Sequence, residues 1–400
     1  MPHALAGRRG AASFLPMLFV LSLLAGCADN APTAATPRIA ADDATLSLNR
    51  SDSHTRHVSA TGVDAGSCTA SPCRTINYAV GQASAGDVVD VAAGTYHESV
   101  NVTKRLALVG HHATIDAAGQ ASPPNAVVIS GDGAAGSRLT GFTIQNAGLE
   151  GVFAVKTSKI TIEHNVVVNN DAYGPFNPLC VDQPDDCGEA IHLQSVTHSV
   201  VRDNLVQNNV GGILLTDEDG PTFGNLIADN RVLDNTKDCG ITLASHHFNP
   251  AQAATADVAG VYRNVVLHNE ANGNGAAGIG VFAGPPGAAA WENSVIGNTA
   301  KRNGGAGIMI HSHTPAQYVD KNVIAHNVLA NNGIDEDNTA DDAPAGISIF
   351  SAVIPIPNTV VAANRISDEH YGIVTLNAVK LEGVRSNRFA KSVAVPVSIH

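Results

Sequence analysis

Residues 203–247 read DNLVQNNVGGILLTDEDGPTFGNLIADNRVLDNTKDCGITLASHH, and one phrase occurs in them twice. An Asn-bearing segment (Asp203 to Asn209, then Asp229 to Asn235) is followed by Gly-Ile-x-Leu (Gly212 to Leu215, then Gly240 to Leu243). Outward from this stretch the first Asn of the phrase recurs at Asn165, Asn204, Asn230, Asn269, Asn298, Asn327, Asn364 and Asn387, with gaps of 39, 26, 39, 29, 29, 37 and 23 residues. The long gaps contain insertions at 171–188, 248–258 and 333–343, and without them the unit falls in the low-to-high twenties. A unit of that length holds about three short strands, and repeats of it stack into a solenoid.

The pattern supplies its own physical reasons. The chain must bend at the same place in each turn, and Asn tolerates the left-handed backbone such a bend needs. Its amide can also bond the Asn one rung away, as an internal ladder. Gly-Ile-x-Leu reads as a strand with two inward apolar positions and outward residues between and after them. Ten or so rungs at ~4.8 Å make a rod on the order of 50 Å long. Ahead of the repeats, Ile76, Ala79, Val80 and Ala83 have helical spacing, and short strands follow from Val88. Residues 386–400 supply a closing strand.

This combination resembles the right-handed parallel β-helices of the pectate-lyase-like superfamily, in which a short N-terminal helix caps the first rung. The resemblance implies an all-β, single-stranded right-handed parallel β-helix of about ten rungs over residues 56–400, with a short capping helix. Capping matters because an open strand edge invites another chain to pair. The family includes pectate lyases, polysaccharide epimerases and periplasmic proteins of the NosD kind. An arginine motif like that of the best-known pectate lyases and the paired-Asp motif of polygalacturonases are both missing here. Tyr173-Gly174-Pro175-Phe176-Asn177-Pro178 is only faintly similar to the mannuronan epimerase motif, without its His and Asp. No catalytic residue therefore carries over from the family.

Composition narrows the class. The 400 residues carry a formal charge of −13, which gives no basic surface for nucleic acid. Arg8 and Arg9 precede an apolar run from Phe14 to Ala25, too short for an ordinary membrane span. The run ends Leu24-Ala25-Gly26-Cys27, which resembles the lipobox of bacterial lipoproteins. That implies a signal peptide over 1–26, acylation of Cys27, and anchoring to a lipid bilayer. Ala28 points to the outer membrane or cell surface. The alternative is a plain secretory signal. Residues 27–55, rich in Ala, Thr, Ser, Asp and Pro, read as a flexible tether. Outside the cytosol, Cys68 with Cys73 and Cys180 with Cys187 are candidate disulfides; Cys239 is left over, or pairs with Cys187 instead.

Outward positions should carry the chemistry. Successive rungs offer Lys156; Glu189, His192 and Gln194; Asp217, Glu218 and Asp219; His246 and His247; Phe282; His311 and His313; and Phe350. His192, Asp217, Glu218, His246, His311 and His313 are candidate acids and bases. Asp217 and Asp219 are candidate Ca²⁺ ligands. Glu189, Gln194, Phe282 and Phe350 are candidate sugar contacts. Two functions remain open: an enzyme on an acidic polysaccharide, a lyase or C5-epimerase with hydrolysis as a further option, or a non-enzymatic envelope protein that binds carbohydrate or handles metal.

Overall fold

A computed structural model describes residues 54–120, 124–171, 188–248, 259–333, 344–377 and 379–400. The signal run, Cys27, the tether up to residue 53, Cys180, Cys187, residues 173–178 and the bulk of all three insertions lie outside the described residues. The described residues belong to one compact unit, Asp42–His400. Their strands form three parallel sheets of twenty-one, eleven and four strands. This is the expected parallel β-helix, with eleven rungs counted on its eleven-stranded sheet.

That sheet carries the Gly-Ile-x-Leu phrases. Ile191, Ile213, Ile241, Ile279, Ile308, Ile347 and Ile373 pair in register, two residues before a second inward column that runs Leu193, Leu215, Leu243, Val281, Ile310, Ile349. All of these side chains are buried in one continuous core. Each contributes roughly 1.5–3 kcal/mol by leaving water. The Gly that opens the phrase has a steric cause. A Cβ on Gly240 would stand 2.7 Å from Gly278 O and 2.6 Å from Asn274 Nδ2, so the next rung leaves no space for one.

The core is capped as expected. The helix Ile76–Gln82 turns Ile76, Ala79 and Val80 inward. Its free N-terminal amides are satisfied by Thr75, whose side chain accepts from Tyr78 N, and by Glu98, which accepts from Ile76 N at 2.8 Å and Asn77 N at 2.9 Å. Ahead of it, Cys68 and Cys73 form the expected disulfide. At the far end Val395–Ile399 pairs with Tyr371–Leu376.

The Asn ladder is present, and it is one of three among the described residues. From Asn165 to Asn387, each Nδ2 donates to Oδ1 of the next rung's Asn at 2.9–3.1 Å. A second runs Asn170, Asn209, Asn235, Asn274, Asn303, Asn332 and ends on Glu369. A third joins Asn225, Asn264, Asn293 and Asn322 beside the four-stranded sheet. The left-handed backbone, however, is not on the ladder residue. It falls one residue earlier, on His164, Asp203, Asp229, His268 and His326 in the first ladder and on Asn169, Asn208, Asp234 and Asn331 in the second. The bend needs one left-handed residue to reverse the chain and a following residue whose side chain turns inward. Asn is selected at the second position for its amide.

Two outcomes test this account. Asn269→Ala removes an amide that bonds Ile227 O and Asn298 Oδ1 and accepts from Asn230 N and Nδ2. With ~1–3 kcal/mol for each buried group left unpaired, stability in urea should fall by about 3 kcal/mol or more. Glu369 is buried and its pKa is raised to about 7, by burial against the opposing bonds from Asn332 and with help from the Asp368 charge. A raised carboxyl stabilises the fold below its unfolded value near 4.5 and loses that contribution as pH climbs through about 7. Glu369→Gln keeps an acceptor without the charge, so between pH 5 and 8 the variant should gain on the parent, by no more than about 3 kcal/mol.

Candidate functional site

The outer face of the eleven-stranded sheet carries two groups of the expected side chains. The first spans the strands Val152–Val155, Glu189–Gln194 and Gly211–Thr216 and the turn after the last. Register sets His192 between Phe153 and Leu214, and Gln194 beside Thr216. His192 is buried, with its ring 5.2 Å from that of Phe153. Its Nε2 meets Thr216 Oγ1 at 2.8 Å and its Nδ1 lies 3.4 Å from Glu150 Oε1. Thr216 in turn donates to Glu218 Oε2. Glu218 Oε1 receives His246 Nδ1 at 2.7 Å. A connected line thus runs Glu150, His192, Thr216, Glu218, His246 across successive rungs.

Burial acts to raise the Glu218 carboxyl, but bonds from His246 and Thr216 and the nearby imidazoles hold it below the usual range. Glu218 and His246 are the members that reach solvent, at 19% and 15% side-chain exposure. Glu150, Glu189 and His192 are buried together, with one ligand atom of each inside 4.8 Å of the others. This is an acidic cluster able to hold a metal. Glu150 has no counterpart among the residues expected from sequence. Its signal was positional: Glu150-Gly151-Val152-Phe153 repeats the placing of Glu189-Ala190-Ile191-His192.

The acidic turn 217–219 does not act as a unit. Asp217 is buried; its Oδ1 accepts from His246 N at 2.7 Å and His247 N at 3.2 Å, and its Oδ2 accepts from Ser245 Oγ at 2.8 Å. Burial pushes its carboxyl up against those bonds. Asp217 therefore ties its rung to the next. Asp219 faces elsewhere, 3.0 Å from Lys156 Nζ and 2.9 Å from Gln194 Nε2. It borders a cleft of about 300 Å³ that Lys156, Ser195 and Asp132 also line. Ca²⁺ takes six to eight oxygens, and these two carboxylates, already bonded to different partners, do not converge as a pair for it.

The second group lies further along the same face. The Phe282 ring meets His311 edge-on at 3.8 Å, His311 Nδ1 contacts His313 Nε2, and the His313 ring stands 5.9 Å from Phe350. Phe282, His311 and Phe350 occupy paired positions on adjacent strands. Burial, then the charge of His313, drives the His311 imidazole well below its ordinary range. At neutral pH it is an uncharged base.

The family described as a right handed beta helix region matches residues 125–324. The A-module of the mannuronan C-5 epimerase AlgE4 of Azotobacter vinelandii superimposes with a TM-score of 0.53 at 13% identity, over 78% of this chain and 88% of that one. The AlgE6 A-module of the same organism gives 0.50 at 12%, over 81% and 93%. XylC in complex with xylose gives 0.50 at 11%, over 80% and 70%. No curated protein sequence matches the chain. At these identities the structures establish the fold.

The His311 environment makes a prediction. The unfolded chain protonates this histidine near 6.5, the folded one only at lower pH. Stability present above 6.5 should thus be lost as the pH falls below it. In urea titrations at pH 7.5 and 5.0, the parent should lose more stability than His311→Gln, and equal losses would contradict the assignment.

Proposed function

The chain belongs to the right-handed β-helix family, and from that premise we propose that it acts on an acidic polysaccharide by abstracting the proton α to a uronate carboxylate. Return of a proton from the opposite side gives C5 epimerisation; expulsion of the 4-linked sugar oxygen gives β-elimination. The carrying observation is the Glu218–His246 pair, the part of the connected line that reaches solvent. Glu218 accepts Nδ1–H, which makes Nε2 the basic nitrogen. Lys156, held at the adjoining turn by Asp219, is a cation available to the substrate carboxylate. The likeness to mannuronan C-5 epimerase modules supports the substrate class, and the rows of outward side chains suit an extended polymer. Ca²⁺ would need ligands other than Asp217 and Asp219 paired. The Cys27 segment supports export and lipid anchoring at the outer membrane or cell surface, with the acidic polymer as the partner.

The full-length chain should be incubated with a panel of polyuronates in D₂O, following ultraviolet absorbance of unsaturated sugar and deuterium at C5. One polymer should respond. His246→Ala should lower the rate by about 10²–10⁴, whereas His268→Ala, at an exposed corner between strands of the twenty-one-stranded sheet and 3.9 Å from Asp229, should leave it unchanged. Absence of both signals with every polymer, alongside retained polymer binding, would replace this reading with that of a carbohydrate-binding protein.

A further inference from the structure

The directions of the hydrogen bonds around His192 leave a gap that a cation fits. Glu218 is an ionised carboxylate and only accepts. It takes one proton from His246 Nδ1 and one from the Thr216 hydroxyl. A hydroxyl has a single proton to give, so at 2.8 Å Thr216 Oγ1 accepts from His192 Nε2. The Nε2 position therefore carries hydrogen, and Nδ1 is the nitrogen turned toward Glu150. Nδ1 lies 3.4 Å from Glu150 Oε1, a long separation for a hydrogen bond. Glu150 is itself 8% exposed, and its Oε2 is buried with no hydrogen-bond partner among the described residues. Glu189 brings a further carboxylate into the same space. A buried carboxylate oxygen without a donor, with a second carboxylate beside it, is costly unless positive charge lies between them.

We propose that Glu150, Glu189 and Nδ1 of His192 form a binding site for a divalent transition metal of the zinc class, with Thr216 and Glu218 orienting the imidazole. One imidazole with two carboxylates suits zinc or its neighbours better than calcium. Ligands of one tetrahedral zinc lie roughly 3.3 Å apart, and the His192–Glu150 pair already stands at 3.4 Å. Glu189 closes the third side from within 4.8 Å. A metal-bound histidine characteristically gives its other N–H to a fixed acceptor, which here is Thr216 backed by Glu218. The site does not depend on sugar turnover, so it stands or falls separately from the reaction proposed above.

The test is stoichiometry on the full-length chain. After stripping with chelator, the parent, Glu150→Gln, His192→Gln and Thr216→Val are dialysed against Zn²⁺ and metal per chain is counted. The parent should hold one equivalent more than Glu150→Gln or His192→Gln, and Thr216→Val should bind that equivalent about 10–100-fold more weakly. Imidazole nitrogen resonances of the unmodified parent provide a reading independent of whether a variant folds: zinc should move one Nδ1 signal at a single equivalent. Equal zinc in parent and variants, or a parent in which zinc moves no Nδ1 signal, would overturn the site and leave a proton as the charge between His192 and Glu150.

Discussion

The amide-to-backbone bonding of the inward asparagines is the constraint on which the solenoid rests. Every rung must turn corners, and each corner strips carbonyl and N–H groups from the sheet ladders. Asn269 shows the solution: its Nδ2 reaches Ile227 O on one side and Asn298 on the other, while its Oδ1 receives two donors from Asn230. No other neutral side chain of that length offers two donors and a two-lone-pair acceptor. With the corners satisfied internally, the interior can be filled by aliphatic side chains, and no large aromatic core is needed.

That economy of the interior sets what the outside can do. Parallel register repeats an outward position every rung, so residues far apart in sequence arrive in rows. Glu150 and Glu189 come together in this way, as do Phe282, His311 and Phe350. The same rule separates sequence neighbours. Asp217 and Asp219 are two residues apart, yet one turns to the next rung's backbone and the other to Lys156 and Gln194.

The fold was legible because its signal is periodic: Asn and Gly-Ile-x-Leu recur at a spacing that only a stacked coil explains. The first ladder, the cap helix and the Cys68–Cys73 bond could all be read. The second and third ladders were hidden, since Asn170 lies between Asn169 and Asp171 and Asn225 stands singly between Gly224 and Leu226. The left-handed residue was misplaced by one because Asp, His, Arg and Lys also occupy it, tolerated at an exposed corner. Of the site, His192, Glu218 and His246 were found by type, but their linkage through Thr216 depends on register and side-chain direction. Glu150 was missed because its strand lacks the Gly-Ile-x-Leu phrase. Asp217 was read as an outward acid because burial cannot be seen in a string of three acids.

Glu369 takes the place of an asparagine at the end of the second ladder. Ionised, it can receive the amide of Asn332 but has no proton to hand on. Each Asn before it both receives and gives, so the row of aligned amide dipoles could in principle continue indefinitely, as in a fibre. A carboxylate at the donor end satisfies the charge of that row and ends its propagation. The number of coils this corner serves is therefore written chemically, in one side chain that, once it has lost its proton, closes a chain of hydrogen bonds and cannot extend it.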